Sequence, residues 1–192
     1  VLTQIAVSNN QISNAESQGI QLLGGSNSAS GNLVMVEIQD NTVAGAAGIS
    51  VEGGAIGSPG NMVEVVVAGN VVNTSRDAGI RLTGGFDDAL DNVVFGEIRG
   101  NEVEGSTTSS GILLGGGRVA SQNMVEAVVT DNAIANSEIG IRVNGGIAQG
   151  TGIALVAHNN IVTAEIARNE VLGSLEVGVA AFGGVADPGA EV

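Results

Sequence analysis

The stretch NMVEVVVAGNVVNTSRDAGIRLTGG, residues 61–85, carries three signals that recur along the whole chain. The first is Gly-aliphatic-x-aliphatic followed by Gly-Gly. It appears as GIQLLGG at Gly19, GISVEGG at Gly48, GIRLTGG at Gly79, GILLGGG at Gly111, GIRVNGG at Gly140 and GVAAFGG at Gly178, at spacings of 29, 31, 32, 29 and 38 residues. The second is an Asn two places before an aliphatic: Asn10, Asn41, Asn70, Asn101, Asn132 and Asn169. The third is an Asn that opens an aliphatic run: Asn32, Asn61, Asn92, Asn123 and Asn160. A period of about 30 residues marks a repeat architecture and takes precedence over local propensity.

Inside one copy the apolar period is two, which is the strand signature. Seven residues before each second-landmark Asn stand Thr3, Val34, Val63, Val94, Val125 and Val162; five before, Ile5, Val36, Val65, Gly96, Ala127 and Ala164. The Gly-led motif contributes Ile20, Ile49, Ile80, Ile112, Ile141 and Val179, then Leu22, Val51, Leu82, Leu114, Val143 and Ala181. Columns of like aliphatics predict coils stacked about 4.8 Å apart, each burying its inner face against the next. At roughly 1.5–3 kcal/mol per buried aliphatic, such columns offset much of the ordering entropy. Aromatic bulk does not fit so thin an interior, and aromatics are only 2% of the chain. The spacing therefore predicts an all-β solenoid of about six coils of 29–38 residues, three short strands per coil, forming one domain over residues 1–192. The Asn landmarks are expected at the corners, where Asn tolerates the left-handed backbone and stacked amides bond one another in an asparagine ladder.

Composition narrows function. Six Arg and no Lys stand against 20 Asp and Glu, a net charge of −14, whereas nucleic-acid surfaces need clustered cations. No apolar run reaches the roughly 18 residues of a membrane-spanning helix, so neither nucleic acid nor membrane insertion is expected. Cysteine is absent, which removes disulfides and thiolate chemistry.

The alternation of an Asn-x-aliphatic corner with a Gly-Ile-x-Leu strand, from Leu2 to about Gly184, resembles the right-handed parallel β-helix family, the pectin-lyase-like group. The resemblance implies a right-handed coil. It does not imply one activity, because the family includes polysaccharide lyases, hydrolases and epimerases, phage tailspikes and bacterial surface adhesins.

Outward positions carry function in a solenoid. On the Gly-led strand they read Gln21, Ser50, Arg81, Leu113, Arg142, Ala180 and, two residues on, Leu23, Glu52, Thr83, Gly115, Asn144, Phe182. Only Thr83 suits an ice-binding lattice. Arg81 and Arg142 share a column two coils apart, with Glu52 diagonal to Arg81; these three are the candidate catalytic residues if the chain acts on uronate polymers as the lyases of the family do. On the longer strand the outward pairs alternate: Met35 with Glu37, Glu64 with Val66, Phe95 with Glu97, Glu126 with Val128. Carboxylates stacked directly at about 4.8 Å would repel by roughly 0.9–3.5 kcal/mol, and the alternation moves them to a diagonal. It also leaves Met35, Val66, Phe95 and Val128 outward as interface candidates, or as a stripe that connecting loops cover.

Phe86 precedes Asp87, Asp88 and Asp91 in the GGFDDALDN loop, a candidate calcium cluster or a solvated acidic turn. The sole His, His158, falls in an irregular insertion, residues 147–159, where other linkers hold six residues. No cofactor is expected. The leading expectation is a structural or adhesive β-solenoid, extracellular or on the cell surface, a rigid spacer or fibre component that self-associates or continues into further coils. The alternative is a fragment of a polysaccharide lyase, hydrolase or tailspike-like protein with a polysaccharide partner.

Overall fold

The computed structural model describes residues 1–74, 76–148, 159–183 and 185–186, with no side-chain description for residues 46, 147–148 and 185–186. Every strand pairing is parallel. One sheet stacks six strands, β1 (Leu2–Ser8), β3 (Leu33–Gln39), β5 (Met62–Ala68), β8 (Val93–Arg99), β11 (Met124–Thr130) and β15 (Ile161–Ala167). The second begins with two long strands, β2 (Gln11–Leu23) and β4 (Thr42–Glu52). From β4 it divides into a branch of β6 (Val71–Thr74), β9 (Glu102–Glu104), β12 (Ala133–Ala135) and β16 (Glu170–Leu172), and a branch of β7 (Ile80–Thr83), β10 (Ser110–Gly115), β13 (Ile139–Asn144) and β17 (Val177–Phe182). Two short strands, β14 (Ile147–Ala148) and β18 (Val185–Ala186), pair on the remaining side. The chain is a parallel β-solenoid.

The predicted columns stand in register. Ile20, Ile49, Ile80, Ile112, Ile141 and Val179 pair rung to rung, as do Val34, Val63, Val94, Val125 and Val162. The side chains of Ile20 to Ile141 and Val34 to Val125 in these columns, with those of Val43, Val72, Val103 and Ile134, form one continuous buried core, against which Val162 packs, whereas Val179 in the last coil is exposed. Backbones approach closely beneath the core. A Cβ on Gly48 would come within 2.0 Å of the Gly79 carbonyl oxygen, so from Gly19 to Gly140 the first position of the Gly-led motif has no room for a side chain.

Two expectations need correction. Three separate strands per coil hold in the third and fourth coils; in the first two the second and third strands run together as β2 and β4, and in the last two β14 and β18 add a short fourth. In the second coil the bridging segment between Val43 and Gly48 is short and built of Ala and Gly, so the chain passes the corner without a separate turn. In the first coil, register shifts between Ile12 and Gln18 absorb the extra length. The left-handed backbone, moreover, falls not on the ladder Asn but on the residue before it: Asn9, Asp40, Gly69, Gly100, Asp131 and Arg168 all have φ between 55° and 63°. At the other corner Gly31, Gly60, Asp91, Gln122 and Asn159 likewise precede the Asn with φ between 53° and 65°. The preceding residue turns the chain; the Asn is left free to face inward and bond.

Both Asn columns form ladders. Asn70 Nδ2 donates to Asn101 Oδ1 at 2.9 Å and to the Ile38 carbonyl at 2.9 Å, while its Oδ1 accepts from Asn41 Nδ2 at 3.0 Å and from the Asn41 backbone N–H at 3.0 Å. The pattern runs from Asn10 to Asn169 and recurs from Asn32 to Asn160. Each buried amide thus has both its donors and its acceptor occupied, which removes the desolvation cost of a polar core.

Candidate functional site

Two outward faces offer more than flat surface. The first lies on β3, β5, β8 and β11. Met35, Glu64, Phe95 and Glu126 follow one another in one column, and Glu37, Val66, Glu97 and Val128 in the next. The column between them points inward, so the outward pairs form two ridges flanking an open groove of about 690 Å³. Met35, Val66 and Phe95 are half-buried and Val128 is exposed. No described loop covers them. Glu97 pairs with Arg99 at 2.8 Å, half in solvent, where such a contact contributes little.

The second lies on the outer face of β4, β7, β10 and β13. Ser50, Arg81, Leu113 and Arg142 stack in one column; Glu52, Thr83, Gly115 and Asn144 stack in the other. The structure therefore brings together the three predicted residues, Glu52, Arg81 and Arg142, on one hollow of about 230 Å³. The next stretch of chain closes its side with Phe86 and Arg118, which are paired rung to rung. A neighbouring hollow of about 410 Å³ shares Glu52, Arg81, Phe86 and Arg118 and adds Asp77 and Asp87, so the strip runs from an acidic end to a basic one.

Electrostatics differ sharply within this strip. Glu52 is only 7% exposed, and burial pushes its carboxyl above the usual range; the Ser50 hydroxyl, donating to Oε1 at 3.2 Å, and the Arg81 charge oppose that shift without cancelling it. Arg81 is engaged by Asp77 at its terminal nitrogen, while its buried Nε has no hydrogen-bond partner. Arg118 and Arg142 each lie over a ring, Phe86 and Phe182, at 5.0 Å from the centroid. Arg142 Nε donates to Asn144 Oδ1 at 3.1 Å, and Asn144 Nδ2, on a side chain that is 0% exposed, has no partner.

Arg118, Asn144 and the two Phe were not singled out by sequence. One available signal was scarcity: three of the six cations in a chain of net charge −14 line this single hollow. As for chemistry, Glu52 is the one carboxylate among the described residues lining it, whereas glycoside hydrolysis uses two facing carboxyl groups about 5–9.5 Å apart.

Asp87, Asp88 and Asp91 are exposed, and all three adopt positive φ, at 47°, 62° and 53°. They act as turn residues, a role Asp fills because its short side chain tolerates that backbone. Among the described residues no group of three or more His, Asp or Glu side chains is arranged to hold a metal ion, and no helix is long and apolar enough to cross a membrane. His158 and most of the insertion at 147–159 lie outside the described residues. Comparison with protein-family models, curated proteins and solved structures finds no match for the chain.

Proposed function

We propose that the chain is a rigid β-solenoid element of an extracellular or cell-surface structural or adhesive protein, working by contact along its length, with a second copy or further coils as partner. The observation that carries this reading is the two-coil alternation on the first sheet. Met35, Glu64, Phe95 and Glu126, beside Glu37, Val66, Glu97 and Val128, repeat one pattern down the axis. A unique active site breaks a repeat; a docking face keeps it. The continuous core and both Asn ladders supply the stiffness such a role needs.

The test is sedimentation combined with electron microscopy of the purified chain across concentration. Fibres or laterally paired rods, reduced to single particles by Phe95→Glu with Val128→Glu, are the expected result. Single particles at every concentration would contradict it.

A second reading, a polysaccharide-processing fragment, is favoured by the convergence of Glu52, Arg81 and Arg142 on one hollow. Its test is an assay on uronate and neutral polysaccharides with and without calcium. Turnover abolished by Arg142→Ala would displace the structural reading.

A further inference from the structure

The hollow on β4, β7, β10 and β13 gathers an unusual number of charged donors beside the apolar Leu113 and Phe86. Arg81, Arg118 and Arg142 bring three guanidinium groups to a space of about 230 Å³, and Asn144 sets an amide donor in its wall. A water molecule occupies about 30 Å³ of liquid, so the space admits one polyatomic group and part of what carries it, not a folded partner.

The charges do not close among themselves. Asp77 engages Arg81 and Glu52 sits beside it, but among the described residues neither Arg118 nor Arg142 has a carboxylate within ion-pair distance. Burial favours the neutral form of Glu52, which raises the positive excess further. Aromatic stacking on Phe86 and Phe182 holds the two guanidinium planes without consuming their N–H edges.

Two buried donors also lack acceptors: Arg81 Nε, and Nδ2 of the fully buried Asn144, whose Oδ1 is already held by Arg142. A buried donor left unmatched costs about 1–3 kcal/mol, and folded proteins rarely retain two in one hollow without a ligand to receive them. These donors sit two rungs apart, and Arg118 enters from a different stretch of chain. A planar carboxylate is satisfied by one guanidinium fork, whereas donors arriving from several directions suit an acceptor with oxygens in three dimensions.

We propose that this hollow binds a tetrahedral oxyanion, a sulfate or phosphate group, between Arg81, Arg118, Arg142 and Asn144. The site is independent of the structural role proposed above, since it lies on a different sheet from the alternating face.

The experiment is isothermal titration calorimetry on the full chain at low ionic strength with four probes: inorganic sulfate, inorganic phosphate, glucose 6-sulfate and acetate. Saturable one-to-one binding of sulfate or phosphate is expected, weakened roughly tenfold or more by Arg118→Gln, whose exposed side chain can be changed without disturbing the core. Arg142→Gln, checked for folding by circular dichroism, is expected to do the same. Arg99→Gln, on the other sheet, is expected to leave binding unchanged. Tighter binding of glucose 6-sulfate than of sulfate identifies a sugar-borne group as the natural source, and equal binding identifies the free ion. No saturable binding, acetate binding as tightly as sulfate, or an equal loss with Arg99→Gln would each overturn the assignment.

Discussion

Asn101 serves five hydrogen bonds from one side chain: Nδ2 donates to Asn132 Oδ1, to the Val67 carbonyl and to the Arg99 carbonyl, while Oδ1 accepts from the Asn70 side chain and backbone. Asn101→Ala strands these partners inside the core, and a loss of about 3–5 kcal/mol in chemical denaturation is expected. A loss below about 1 kcal/mol would show that the ladder is ornamental to stability. Glu52 acts in the opposite sense. Its folded carboxyl titrates above its unfolded value because burial disfavours the charge, so the native state holds the proton over a pH range in which the unfolded chain has released it. Its contribution is therefore fully present below the ordinary carboxylate range and is lost as pH rises through the raised value. Glu52→Gln should melt at the wild-type temperature near pH 4 and a few degrees higher near pH 8; a lower melting temperature at pH 8 would mean that the Arg81 contact outweighs burial. The columns that place Glu52, Arg81 and Arg142 were readable because outward residues on stacked strands inherit the register of the inward ones. Asn144 was not readable. In the column Glu52, Thr83, Gly115, Asn144 it looks like one more surface polar residue, and its burial depends on packing with Arg142 and Phe182 that no periodicity encodes.

At the scale of the strands, the inward column Val36, Val65, Gly96, Ala127 contains an apparent gap at Gly96. The opposite sheet fills it: a Cβ on Gly96 would come within 2.2 Å of Leu82 Cδ1. Across the interior, Leu82 on β7 thus extends into the place that a larger residue on β8 would occupy. Gly96→Ala is expected to cost about 1–3 kcal/mol by overpacking. Leu82→Val should recover part of that loss in the double variant, because the two residues compete for one volume and their effects do not add. Simple additivity in a double-mutant cycle would deny the contact. Sequence showed that Gly96 belongs to the column, but not what compensates it, since the compensation crosses from one sheet to another while the repeat reports only on neighbours along the axis. The merged strands β2 and β4 escaped for a related reason. A repeat length predicts that a corner exists, while whether the corner interrupts hydrogen bonding depends on the few residues within it, such as the Ala and Gly between Val43 and Gly48.

For the molecule as a whole, fold and function were legible to different depths. Inward positions answer to a single demand, burial against the same residue one rung away, and so they repeat; Ile49, Ile80 and Ile112 line up as their spacing required. Outward positions are free of that demand, and the hollow joins Arg81 and Arg142 of one column to Arg118 from a different stretch of chain. Every reading of both faces rests on coils stacked in register. The most direct measurement of that stacking is a methyl nuclear Overhauser spectrum of the chain with labelled isoleucine. Cross-peaks joining Ile49 to Ile80, Ile80 to Ile112 and Ile112 to Ile141 are predicted, with Ile49 to Ile112 much weaker at twice the rung spacing of about 4.8 Å. Absence of the neighbouring-rung peaks, or equal intensity between rungs two apart, would contradict the solenoid and every outward face derived from it.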